Sequence, residues 1–304
     1  MRDLGNYSLR DWMGAMPLAH GARRLRNMAV DRVYGKRQAE GQAALLAELS
    51  RFRGEFLVFT VAFNMPEAIA FLSQAMARAM PGLALVVCDN STDPAARARI
   101  AALCTQEGRL YCPMPAAPQL HSRPNGSRSH GVALNWIWRN LIRPTRPRGF
   151  ALIDHDLIPL AADDLSSRLA HQPVYGMVRK GERFGGWFLW PGYSLFDFAA
   201  VEHLPLDFGT DTPLTLDTGG QNWRVLYRDL SLPALDRAQT WEVMLPDPDT
   251  GEPEPFLLVD TWLHVGGAGH RGGGAAALER ARRAYAADPE GLLGRLMATA
   301  QEIP

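Results

Sequence analysis

Four short apolar runs, at 56–63, 83–88, 109–112 and 150–153, punctuate the segment 55–156, and each gap between them is long enough for a helix. Runs this short and this rich in Val, Ile, Leu and Phe suit buried strands better than helices. The first gap opens on Asn64 and Pro66 and carries Ile69, Leu72, Met76 and Met80 at helical spacing until Pro81-Gly82 ends it. The second opens on Asp93-Pro94, an N-cap followed by a first-turn proline. The third holds a polar loop over 118–129 and then a helix with Leu134, Ile137, Trp138 and Leu141 on one face, stopped by Pro144 and Pro147. Successive strands joined by helices must run parallel, so the pattern predicts an α/β protein with a mainly parallel central sheet and helices on both faces.

In the order 3-2-1-4, strands one and four become neighbours where the winding reverses, and ligands collect beyond the carboxyl ends there. Polar residues fall at those ends: Asn64 after strand one, Asp89 after strand two, and Asp154-His155-Asp156 after strand four. An Asp-x-Asp in a strand-end turn can offer two hard oxygen ligands to one Mg²⁺ or Mn²⁺ ion, with substrate phosphates completing the shell. Alone, such a pair also serves as a turn cap. His155 points to the opposite side if the turn stays extended and is not expected to be a ligand.

Read together, these segments resemble the GT-A fold glycosyltransferases, and family 2 in particular. The likeness rests on Phe63-Asn64, on Val86-Val87-Cys88-Asp89-Asn90-Ser91-Thr92-Asp93, on His130-Gly131-Val132-Ala133-Leu134-Asn135, and on Asp154-His155-Asp156, in that order over roughly residues 54–160. Cys88 stands where the family carries the first Asp of a pair. The resemblance implies a nucleoside-diphosphate-sugar donor, with Phe63 and Asn64 lining its site, Asp89 accepting a hydrogen bond from the base, and Asp154 near the ribose or the metal. Asp156 would ligate the divalent ion. It further implies an unidentified glycan, lipid-linked or small-molecule acceptor, and inversion by a carboxylate base.

Beyond residue 160 strands are expected at 174–179, 187–190, 241–245 and 256–263. The aromatic stretch 185–193 could stack on a sugar, but core packing is the favoured reading. Asp217, beside Gly219-Gly220, is the first choice for the base, with Asp211 and Asp207 as rivals and a helix cap as the alternative role. His264 ends the last apolar run, and the resemblance makes it a further metal-ligand candidate; a hydrogen-bonded strand-end histidine is the plainer reading. Gly267-Ala268-Gly269-His270-Arg271-Gly272 matches a dinucleotide fingerprint, but no second strand ending in an acid follows it. A glycine loop over the diphosphate, with His270 and Arg271 supplying charge, fits it better.

The 304 residues divide into a helical extension (1–53), a catalytic region (54–273, with nucleotide and acceptor halves meeting at 160) and a helical tail (274–304). The 32 basic and 32 acidic residues cancel, which argues against dedicated nucleic-acid binding. The basic cluster Arg23, Arg24, Arg26, Arg32, Lys36 and Arg37 could touch a membrane surface or an anionic partner, or be a solvated helix face. No run is long enough to span a bilayer, and the three cysteines lie in apolar segments without paired spacing, so a cytoplasmic protein with reduced thiols is expected. Two other functions compete: a nucleotide-sugar-binding module without turnover, and a phosphotransferase of the haloacid-dehalogenase kind with Asp154 as nucleophile.

Overall fold

A computed structural model describes residues 3–116, 126–182, 185–247, 249–266 and 273–303. Helices Leu9–Met13 (α1), Met16–Tyr34 (α2) and Gln42–Leu49 (α3) lead into β1 (Phe56–Ala62), which is buried along its whole length. Both its faces meet apolar layers, Val58 and Ala62 on one side and Leu57, Phe59 and Val61 on the other. This is why the run shows no polar alternation. Helix α4 (Pro66–Ala79), β2 (Ala84–Asp89), α5 (Pro94–Gln106), β3 (Leu110–Pro113), α6 (Gly126–Ile137) and β4 (Gly149–Asp154) follow. The Asp93 carboxylate caps α5 by accepting from the Ala95 N–H at 2.9 Å. Helix α6 runs through a π-helical stretch, Trp138–Ile142, into α7 (Arg143–Thr145).

Strands β3, β2, β1 and β4 lie side by side and parallel, in the order expected from the winding. After β5 (Leu157–Pro159), β6 (Val174–Lys180) and β7 (Trp187–Asp197) add to the far edge, both pairing antiparallel, to give a six-stranded sheet in the order β3-β2-β1-β4-β7-β6. The chain continues through α8 (Phe198–Val201), β8 (Thr240–Pro246), β9 (Pro253–Val259), β10 (Trp262–His264), α9 (Gly274–Ala287), α10 (Leu292–Met297) and β11 (Gln301–Glu302).

The expectation of one central sheet needs correction. A second sheet, five-stranded and wholly antiparallel, runs β11-β8-β9-β10-β5, and the tail after residue 273 ends in one of its strands. The run expected as one strand over 256–263 is instead a hairpin turning at Asp260, whose φ of 51° is left-handed. Aspartate tolerates that backbone better than most residues, and here its carboxylate is held by the Gln239 N–H and the Tyr175 hydroxyl. The second sheet packs in the same apolar layer as α4, α9 and α10, while α3 and α6 cover the opposite face of the first.

Candidate metal centre

Strand β4 ends at Asp154, and the chain turns through His155 and Asp156 straight into β5. The turn is held from both sides. His155 Nδ1 lies 2.9 Å from the Val61 carbonyl of β1 and donates to it, while the Val265 N–H donates to the Asp156 carbonyl at 3.0 Å. Antiparallel pairing of β5 with β10 sets His264 opposite Leu157, the residue after Asp156. A histidine from late in the chain thereby reaches the Asp-x-Asp turn. Its Nε2 is 3.6 Å from Asp156 Oδ1, and one ligand-capable atom from each of Asp154, Asp156 and His264 lies within 4.8 Å of the others. The Trp190 indole packs edge-on against the His264 ring, with centroids 4.7 Å apart, which limits its rotation.

The three side chains fit a divalent cation. Ligands about 2.1 Å from an octahedral ion stand about 3 Å apart in cis and about 4.2 Å in trans, so the cluster needs only slight contraction. Two carboxylates and an imidazole form a hard-to-borderline set that suits Mn²⁺ well and Mg²⁺ less so. Asp156 is buried, whereas Asp154 and His264 are partly exposed, so ligands can enter from one side.

His130, on the first turns of α6, is a member of the site that the sequence reading passed over. Its Nε2 stands 3.6 Å from Asp154 Oδ1. Desolvation in the cleft and the neighbouring His155 ring push the imidazole down to about 4, against the opposing pull of Asp217 and Asp156. His130 is therefore neutral near pH 7, and Asp217 lies close enough for its charge to act there. The only sequence signal for His130 was its place at the head of the segment that ends in Ala133-Leu134-Asn135, in which the resemblance gave the histidine no role.

The other expected residues take definite places. Asn64, with a left-handed φ of 52°, links the two neighbouring strand ends: its Oδ1 accepts from the Thr92 and Asp93 N–H groups at 2.9 and 3.0 Å, and its own N–H donates to Ser91 Oγ at 2.9 Å. Phe63 sits half-buried beside it. Asp89 is fully buried, with Oδ1 accepting from the Ser91 N–H and Oδ2 from the Tyr111 hydroxyl, both at 2.8 Å. It shapes the turn after β2, and its lone pairs are not exhausted by these two donors, but its full burial means that a base reaches it only if the surrounding turn moves.

Asp217 is exposed, and its Oδ1 accepts from the Thr218 N–H at 2.8 Å. The rival Asp207 is a tether, accepting from Asn135 Nδ2 at 2.7 Å and the Gly209 N–H at 2.8 Å. Asp211 is buried in an isolated bridge with Leu216. Asn135 also accepts from the Phe208 N–H at 2.7 Å, so its motif holds the 207–209 loop against α6. In the aromatic stretch Trp187, Phe188 and Tyr193 are core residues, and Trp190 turns to the site. The glycine loop with His270 and Arg271 lies outside the described residues, as do residues 118–125 of the polar loop expected over 118–129, whereas 126–129 belong to α6.

No protein-family model matches the chain, and no curated protein matches it.

Proposed function

We propose that this chain is a divalent-cation-dependent glycosyltransferase with a GT-A-like nucleotide half, moving a sugar from a nucleoside diphosphate to an acceptor hydroxyl. One observation carries the reading: Asp154, Asp156 and His264 converge beyond the carboxyl end of β4, beside β1, in a sheet wound 3-2-1-4. That crevice is where open α/β sheets take nucleotides. The acceptors considered are a glycan, a lipid-linked carrier or a small molecule.

In the reaction the bond between the anomeric carbon and the diphosphate oxygen breaks, the acceptor oxygen bonds to that carbon, and the acceptor proton must leave. Asp217, exposed and within electrostatic reach of His130, is the carboxylate assigned to take that proton, with inversion at carbon. Asp154, Asp156 and His264 would hold Mn²⁺ or Mg²⁺, which when bound offsets the negative charge growing on the departing diphosphate. His130, kept neutral, stands 3.6 Å from Asp154 Oδ1 without adding a competing cation. A second reading, donor binding without turnover, draws support from Asp217, whose Oδ1 is already engaged by its neighbour's N–H.

The test is a thermal-shift screen of nucleoside diphosphates and their sugars, with and without Mn²⁺, followed by donor hydrolysis. A transferase should gain stability only with metal and donor together, release nucleoside diphosphate slowly, and lose that release in Asp156→Ala. Stabilisation without release would favour the binding module. Absence of any nucleotide-dependent shift, or phosphate release from a simple monoester that depends on Asp154, would overturn the proposal.

A further inference from the structure

Exposed large apolar side chains are concentrated in one region. Among the described residues, nine of the eleven lie between Leu4 and Val33, on or beside α1 and α2. Single exposed hydrophobics are ordinary, but a contiguous band marks a surface that meets something else. On α2 the band is ordered. Leu18, Ala22, Leu25, Ala29 and Val33 are all exposed and follow one another at steps of three or four residues, so they share a stripe. Leu18 is 71%, Leu25 69% and Val33 62% exposed. The other side of α2 packs on the body: the Tyr34 hydroxyl donates to the Pro115 carbonyl at 2.8 Å, and Asp31 receives Arg128. The helix is apolar where a solvated helix would be polar.

Charge says what covers the stripe. The whole chain is neutral, yet residues 1–37 hold eight basic and three acidic side chains. Arg23, Arg24, Arg26 and Arg32 are exposed on α2, and the one acid of that helix, Asp31, faces inward to Arg128. Among the described residues no carboxylate pairs with any of these four arginines. A second copy of the chain would bring arginines against arginines across a two-fold contact. An anionic bilayer satisfies both features at once, because acyl chains accept the apolar stripe and lipid phosphates accept the arginines. Among the described residues no helix is long and apolar enough to cross a membrane, so the helices would lie on the surface.

We propose that α1 and α2 form an interfacial docking element for anionic phospholipid membranes, with Leu9, Trp12, Leu18 and Leu25 entering the acyl boundary and the α2 arginines meeting the headgroups. The proposal stands on these two helices and does not depend on the glycosyltransferase reading. The full chain is sedimented with vesicles of phosphatidylcholine alone and of phosphatidylcholine with phosphatidylserine, at low and high salt. It should pellet with the phosphatidylserine vesicles, and less so as salt rises. Leu18→Glu/Leu25→Glu should abolish pelleting at both salt concentrations, and Arg23→Gln/Arg24→Gln/Arg26→Gln should weaken it on the order of 10-fold or more at low salt. Unchanged melting temperatures would show that both variants are folded, and the arginine variant keeps the test decisive if the leucine one is not. Failure to pellet with phosphatidylserine vesicles, or pelleting insensitive to both variants, overturns the proposal. A dimer that Leu18→Glu/Leu25→Glu converts to monomer, without vesicle binding, would assign the stripe to a second copy instead.

Discussion

Asp156 is the buried member of a three-residue cluster whose other two side chains remain open to one side, which gives each residue a separable expectation. Asp156→Ala should abolish Mn²⁺ binding measured by calorimetry or electron paramagnetic resonance. His130→Ala, which removes a neighbour of a ligand, should weaken it by about 10- to 100-fold. Equal, small losses in both variants would mean that the cluster is a hydrogen-bonded turn and no metal site. The Asp-x-Asp was legible because both carboxylates sit in one turn, whereas His264 became a ligand candidate only through the family resemblance. His130 was not legible, since its relation to Asp154 depends on how α6 lies across the sheet. The cysteines behave as their apolar surroundings suggested: Cys88, Cys104 and Cys112 are free and buried, and burial pushes the thiols of Cys104 and Cys112 up to about 12. Thiol reagents should therefore label native protein very slowly and all three positions on unfolding.

Among the elements, α2 and α6 are joined by one nearly buried ion pair, in which the Arg128 guanidinium grips both carboxylate oxygens of Asp31. Desolvation raises the Asp31 carboxyl above its ordinary range despite Arg128, so the attraction does not fully offset burial. Removing one partner should still be severe, because the other charge is left in the interior. Asp31→Ala is expected to lower unfolding stability by about 3 kcal/mol, whereas Asp31→Leu/Arg128→Met should be close to neutral. Urea denaturation distinguishes these outcomes. Gly131 makes a different demand: a Cβ there would lie 2.7 Å from the Phe208 carbonyl, so Gly131→Ala must push the 207–209 loop away from α6, at about 1–3 kcal/mol. The four parallel strands and the helices between them were readable from period and caps, whereas α2 runs unbroken through Gly21 and α8 carried no such signal. The pairing of β5 with β10 was not readable either, since three-residue strands fall below any periodic signal and their partnership spans most of the second half.

At the level of the whole molecule, α9 and α10 contribute Leu278, Ala281, Tyr285, Leu292 and Leu296 to the same apolar layer as β5, β8, β9 and β10. Deletion of 274–304 should thus expose that layer and leave the protein aggregated, as read by size-exclusion chromatography, while a soluble, metal-binding product would contradict the packing. Stability should also fall at high pH. The Cys104 and Cys112 thiols and the Tyr34, Tyr111 and Tyr175 hydroxyls are all raised by burial. Below about pH 8.5 both states keep these protons; above it the unfolded chain loses them first, so the melting temperature should drop steadily. What the sequence determined by itself was the parallel half of the first sheet and the carboxylates at its rim, because period, caps and strand-end chemistry act between residues close along the chain. Only the tertiary structure decided the second sheet, the arrival of His264 beside Asp156, and the satisfied burial of Asp89. Each of these depends on pairing between distant segments, whose free energy comes from contacts that no local pattern encodes.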